Sequence, residues 1–195
     1  MEKFKNLSVF IKINFITLIA LIALIVVIIL NGLAISANNK SLDELKDKRY
    51  LIAKKSTANA FIITKIDELY TQAVSFGDED LVKTAHSQYQ QLVRNLDEIR
   101  ALESQENQNK MDQFKKLIEN YNAIAAEIVT GFINSSLDFN IIQQKSKTKA
   151  DIFEDLTSRM KAYSDQSDIE YSLLAEEAKE RSTDAITNSI ILSII

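Results

Sequence analysis

The 195-residue chain contains no proline, no cysteine, no tryptophan and only three glycines. Proline removes a backbone donor and clashes with the preceding turn, so its absence leaves very long helices unbroken. Without cysteine, neither a disulfide framework nor a thiolate metal site can form. There is no glycine-rich phosphate loop. The only histidine is His86, which has no nucleophile-elbow context around it and reads as an ordinary helical residue. The formal charge is −4, which argues against a nucleic-acid partner, since such a partner needs a basic surface. Carboxylates are plentiful, but on helices they mostly make solvated faces. No catalytic set is visible, so the chain is expected to be neither an enzyme nor a carrier of a cofactor or metal.

What is present divides into two unlike parts. An apolar run begins near Phe15 and continues through Asn31 and Gly32 to Ile35. Roughly 20 such residues cross a bilayer as a helix, so 13–35 is expected to be a transmembrane helix. Lys3, Lys5 and Lys12 lie before it. By the positive-inside rule they put residues 1–12 in the cytoplasm. A signal peptide cut near Ser36 or Ala37 is the rival reading, but the apolar stretch outruns a signal-peptide core. Residues 186–195 turn apolar again. They are too few to span a bilayer and read as the start of a truncated second span.

Residues 36–185 between these segments read as amphipathic helix. A heptad seam fits Leu42, Leu45, Arg49, Ile52, Ser56, Asn59, Ile63, Ile66, Tyr70 and Ala73. Gly77 is a natural helix terminator and Asp78 a natural N-cap. A second helix is expected over about 79–102, with Ala85, Tyr89, Leu92, Leu96 and Ile99 on one stripe. A third carries Met111, Phe114, Ile118, Tyr121, Ala125, Ile128 and Phe132, and ends at Gly131 and Asn134–Ser136. A fourth starts near Leu137 and runs about 50 residues along Phe153, Leu156, Met160, Tyr163 and Leu174. The break at 103–110 is chemically weak. Parity requires it, because an even number of antiparallel helices returns the chain to the same membrane face. The expected fold is therefore all-α, an antiparallel up-down-up-down four-helix bundle whose long first and last helices continue into membrane spans. These two helices outrun the middle hairpin by roughly four turns. Near the bilayer each subunit has only two helices, so a homodimer with a four-helix stalk is expected.

The seam has one polar interruption, at Ser56 and Asn59. Polar core positions cost stability unless partnered. Antiparallel pairing places Arg100 opposite Ser56, Asp97 opposite Asn59, and Arg159 at the level of Ser56. Ser56, Asn59, Arg100 and Arg159 are thus candidates for one polar layer, with arginine forks suited to carboxylates. Such a layer serves either as an anion-binding site or as a device that fixes helix register. The core-facing Tyr70, Tyr89, Tyr121 and Tyr163 are expected to pack with hydroxyls turned outward.

The opening NLSVFIKINFITLIALIAL resembles the start of bacterial methyl-accepting chemotaxis proteins. The junction SFGDEDLVKTAHSQYQQL at 75–92 resembles a turn of their four-helix-bundle sensor domains, and EEAKERSTDAITNSIILSII resembles the approach to their second span. The resemblance implies a signal-transduction receptor in the inner membrane with its sensor domain in the periplasm. It implies a small-molecule ligand or a periplasmic binding protein as partner, and a shift of the fourth helix as the signal. Sensor histidine kinases and membrane-bound diguanylate cyclases carry similar modules, and a membrane-tethered structural coiled coil is a further alternative. The aspartate-receptor branch holds ligand carboxylates with arginines of the first helix. Here that helix has only Arg49 outside the membrane, so no binding residue carries over.

Overall fold

The computed structural model describes residues 9–194, with side chains for all but 185, 186 and 188–194. Lys3, Lys5 and the rest of 1–8 lie outside the described residues, as does Ile195. So do most side chains of the expected second span. Among the described residues the chain is all-helical, with four helices and no strand. The first is a continuous stretch, Val9–Phe76. It comprises α1 (Val9–Asp43), a π-helical segment Glu44–Arg49, and α2 (Tyr50–Phe76). The others are α3 (Glu79–Leu102), α4 (Gln105–Ile133) and α5 (Phe139–Ile194).

Two compact units result, Lys46–Ser172 and the flanking Met1–Leu45 with Leu173–Ile195. In the flanking unit, α1 buries none of its residues. Its most apolar 18-residue window has a mean hydropathy of 3.2, long and apolar enough to cross a bilayer. Arg181 Nη1 donates to Ser41 Oγ at 2.9 Å in the same unit.

The Lys46–Ser172 unit has its own core. From α2 it takes Ile52, Ala53, Ile62, Ile63, Ile66, Leu69, Tyr70 and Ala73, the helical face that the sequence periodicity marks. Leu92, Leu96 and Ile99 of α3, Ile118 and Tyr121 of α4, and Leu156 and Met160 of α5 complete it. The cross-helix links run in opposite numerical order. Between α2 and α3, Lys55 meets Glu98 and Asn59 meets Asn95. Between α3 and α4, Asp97 meets Lys115 and Arg100 meets Asp112. Between α4 and α5, Phe114 meets Tyr163, Tyr121 meets Phe153, and Glu127 meets Lys145. Between α2 and α5, Thr57 meets Ser164 and Asp67 meets Lys149, and Arg49, at the end of the π-helical segment, meets Glu170.

The turns have local causes. Gly77 ends α2 at φ 65° and returns its N–H to Ala73, a left-handed terminator that glycine adopts without a Cβ penalty. Asp78 then accepts from the Asp80 N–H at 2.8 Å and caps α3. The weak break expected at 103–110 is a tight turn at Glu103 and Ser104, with α4 starting at Gln105. Gln, Glu and Asn are adequate helix formers, so the remaining residues join the helix. Gly131 is buried inside α4 rather than ending it. A Cβ there would overlap the Leu137 side chain, so its role is to let that residue in. The turn comes after it, with Ser135 at φ 50°. Of the seam positions expected at 42–49, Leu45 and Arg49 are half-buried and Leu42 is not. The π-helical segment adds about one residue per turn and shifts the face, and Leu42 is exposed.

Candidate functional site: polar layers in the helical core

The first layer is centred on α2. Ser56 and Asn59 are both completely buried. Ser56 Oγ donates to Ile52 O at 2.7 Å, which satisfies it within its own helix. Asn59 Oδ1 accepts from Asn95 Nδ2 at 2.8 Å, while Asn59 Nδ2 is buried with no partner. Lys55 Nζ lies 3.4 Å from Asn95 Oδ1 and 2.8 Å from Glu98. One position along, Thr57 and Ser164 share a hydrogen bond of 3.2 Å.

The candidate arginines do not complete this layer. Arg100 forks onto Asp112, with Nε at 2.8 Å and Nη2 at 3.3 Å. Arg159 pairs with Asp155 one turn back in α5. The reason is register. Asn59 meets Asn95 where Asp97 was expected, a slip of two residues that leaves Arg100 off the level of Ser56, and its fork is taken by Asp112 of α4. Ser164, rather than Arg159, is the α5 residue bonded beside Ser56.

A second polar group gathers around Glu103, whose side chain is 3% exposed. The Tyr163 hydroxyl donates to Glu103 Oε1 at 2.6 Å. Glu103 Oε2 accepts from the Ser104 N–H at 3.3 Å and lies 3.9 Å from Arg49 Nη1. That guanidinium makes its shorter pair, 2.8 Å, with Glu170, and its Nε is buried with no partner. Burial pushes the Glu103 carboxyl up. Hydrogen bonds from Tyr163, Asn107 and the Ser104 N–H, with the Arg49 charge, outweigh it and hold the group below the usual carboxylate range. The Ser104 N–H that it accepts belongs to the N-cap of α4, where the helix dipole favours negative charge.

Two further tyrosines are tied down instead of merely packing. Tyr121 donates to Asp67 at 2.6 Å, and Lys149 binds the same Asp67 oxygen at 2.6 Å. Tyr70 donates to Asn122 at 2.7 Å. Burial is the main cause that raises all three buried tyrosines, Tyr70 to about 12 and Tyr121 and Tyr163 further. Sequence reasoning missed these partners. Tyrosine on a core stripe was legible, but the acid or amide it reaches lies 52–60 residues away.

Two cavities border the core. One of about 460 Å³ lies between α2, α4 and α5 and is mainly apolar. Its charged lining residues, Asp67 and Lys149, are paired with each other. The other, about 400 Å³, lies between α4 and α5 and is lined by Lys110, Arg159, Phe114, Tyr163 and two glutamines. Among the described residues no group of three or more His, Asp or Glu is placed to hold a metal ion. No protein-family model, curated protein or solved structure matches the chain.

Proposed function

We propose that the chain is the ligand-sensing module of a transmembrane signal-transduction receptor of the chemoreceptor kind. In this reading α1 spans the inner membrane, and the Lys46–Ser172 unit stands in the periplasm as an antiparallel up-down-up-down bundle. The observation that carries it is the pairing, on one chain, of an unburied apolar helix with a helical unit that has its own core. The inverse order of the cross-helix links supports the antiparallel arrangement. The buried polar layers support sensing over mere scaffolding. A passive bundle gains stability from an apolar core, whereas Asn59 and Arg49 carry buried unpaired nitrogens.

Reporter fusions test the placement. Alkaline phosphatase, active only outside the cytoplasm, is joined after Ser172, and a fluorescent protein that matures only inside is joined at the same position. Active phosphatase and a dark fluorescent fusion are expected. The reverse pattern would sink the periplasmic reading. A chimera with the signalling half of an attractant receptor then tests sensing, by whether added compounds change swimming bias.

A further inference from the structure

The cleft between α4 and α5 has a composition that selects a ligand. Lys110, Gln113 and Phe114 face it from α4, and Arg159, Tyr163 and Gln166 from α5. Both sets recur at i, i+3 or i+4, so each lies along one helical face. Two cations and two amides line it, and none of its lining residues is a carboxylate. Its volume, about 400 Å³, falls in the range of small-molecule sites. Phe114 and Tyr163 meet edge-on at its middle, with ring centroids 6.0 Å apart.

The chain directions distribute the charges. Phe114 meets Tyr163 and Tyr121 meets Phe153, so α4 and α5 run in opposite senses here. Lys110 and Arg159 each precede a ring of that pair by four residues. They therefore flank the rings on opposite sides, each displaced about 6 Å along the groove. The partners they now hold are exposed and local: Arg159 with Asp155 is 55% and 42% exposed, and Lys110 with Glu106 is 49% and 83% exposed. Such pairs contribute little, so an arriving anion displaces or shares them at small cost.

We propose that this cleft binds a small aromatic carboxylate. The ring lies against Phe114 and Tyr163, and the carboxylate takes the planar fork of Arg159. Lys110 and the two glutamines serve polar substituents at the other end. The inference deepens the sensing reading above by naming its ligand class. It also supplies a route for the signal. The Tyr163 ring is the cleft floor, and its hydroxyl holds Glu103, which lies beside the Arg49–Glu170 pair.

The test uses the full chain in detergent micelles, with labelled benzoate as probe and benzylamine as the charge-reversed control. Saturable binding of benzoate, one per chain, is expected, with none for benzylamine. Arg159→Gln should weaken benzoate at least about tenfold, the worth of a charge-assisted bond, and Ala162→Trp should abolish binding by filling the cleft. Both positions are exposed, so neither change threatens the core. No saturable benzoate binding at about 10 mM, enough to fill a millimolar site, overturns the proposal. Binding that survives Ala162→Trp overturns the location, and binding indifferent to Arg159→Gln overturns the carboxylate contact. The reporter fusions read the receptor assignment separately, because cleft occupancy in micelles does not depend on which side of a membrane the unit occupies.

Discussion

Replacing Asn59 by leucine, its near-isostere in shape, should stabilise the Lys46–Ser172 unit. Asn59 is completely buried and makes one hydrogen bond, to Asn95 at 2.8 Å, while its Nδ2 has no partner. Removing a buried unsatisfied group recovers about 1–3 kcal/mol, and the lost hydrogen bond costs about 1 kcal/mol. Burial of the leucine methyls adds about 1–2 kcal/mol. The half-exposed Asn95 keeps Lys55 beside it and turns its amide to water. The net gain is about 2 kcal/mol, which for a unit of this size raises Tm by roughly 6–10 °C. Thermal melts followed by circular dichroism on the full chain in micelles measure it. An unchanged or lowered Tm would refute the reasoning, because it would mean that the amide is satisfied in solution or that the site has no room for methyls. In a receptor chimera the same variant should respond less to ligand, since a layer that tolerates a shift has been exchanged for one that resists it.

Acid and alkali should act on opposite ends of the buried tyrosine contacts, Glu103 and Tyr163 sharing one of them. Glu103 is held below its ordinary range, so its stabilisation is complete above the unfolded value near 4.3 and is lost as pH falls through the folded value; Glu103→Gln should flatten that acid limb of a Tm–pH curve. Tyr70, Tyr121 and Tyr163 are raised, so their contribution is complete below about 10 and is lost as pH climbs through the folded values; Tyr163→Phe should make the alkaline limb shallower. Gly131→Ala should cost about 1–3 kcal/mol by denaturant melts, because its Cβ overlaps Leu137, and Leu137→Ala in the same chain should recover part of that loss. Phe61 is 72% exposed on α2; if the homodimer forms on that face, Phe61→Cys should yield a disulfide-linked dimer in membranes, and a monomer band under oxidation would remove that interface. Hydrogen exchange should be faster along the α5 part of the Lys46–Ser172 unit than along α2, and equal protection would count against a loosely held α5.

Much of the architecture was legible because it depends on periodicity and on single residues at turns. Helix α3 runs over Glu79–Leu102 because Gly77 and Asp78 specify its start whatever the tertiary context. The seam of α2 was legible because burial repeats with the helix. The site was less so. A slip of two residues between α2 and α3 leaves every apolar stripe facing inward, yet it exchanges Asp97 for Asn95 and sends Arg100 to Asp112. Glu103 was hidden for another reason. As a turn residue in a polar run it carried no local mark, and its burial comes from Tyr163 and Arg49, both remote in sequence. The π-helical segment was invisible too, since Glu44–Arg49 is made mostly of good α-helix formers and carries no residue that marks a wider turn.

The distribution of apolar and polar contacts explains why α5 is the helix expected to move. Within the Lys46–Ser172 unit, α2 contributes eight buried apolar residues, from Ile52 to Ala73. The α5 segment contributes two, Leu156 and Met160. Ile152, Phe153 and Tyr163 pack against the core half-buried, and the other ties of α5 are polar: Lys145 to Glu127, Lys149 to Asp67, Tyr163 to Glu103, Ser164 to Thr57 and Glu170 to Arg49. Apolar interdigitation resists sliding because each side chain occupies its own hole. Partly exposed ion pairs and hydroxyl contacts exchange with water at small net cost. A helix with few side chains in such holes has less core packing to break when it changes register. A ligand needs only a few kcal/mol of differential affinity to bias such an element. Tyr163 joins the cleft to the Glu103 cluster, so any bias from a bound carboxylate falls on the least anchored helix.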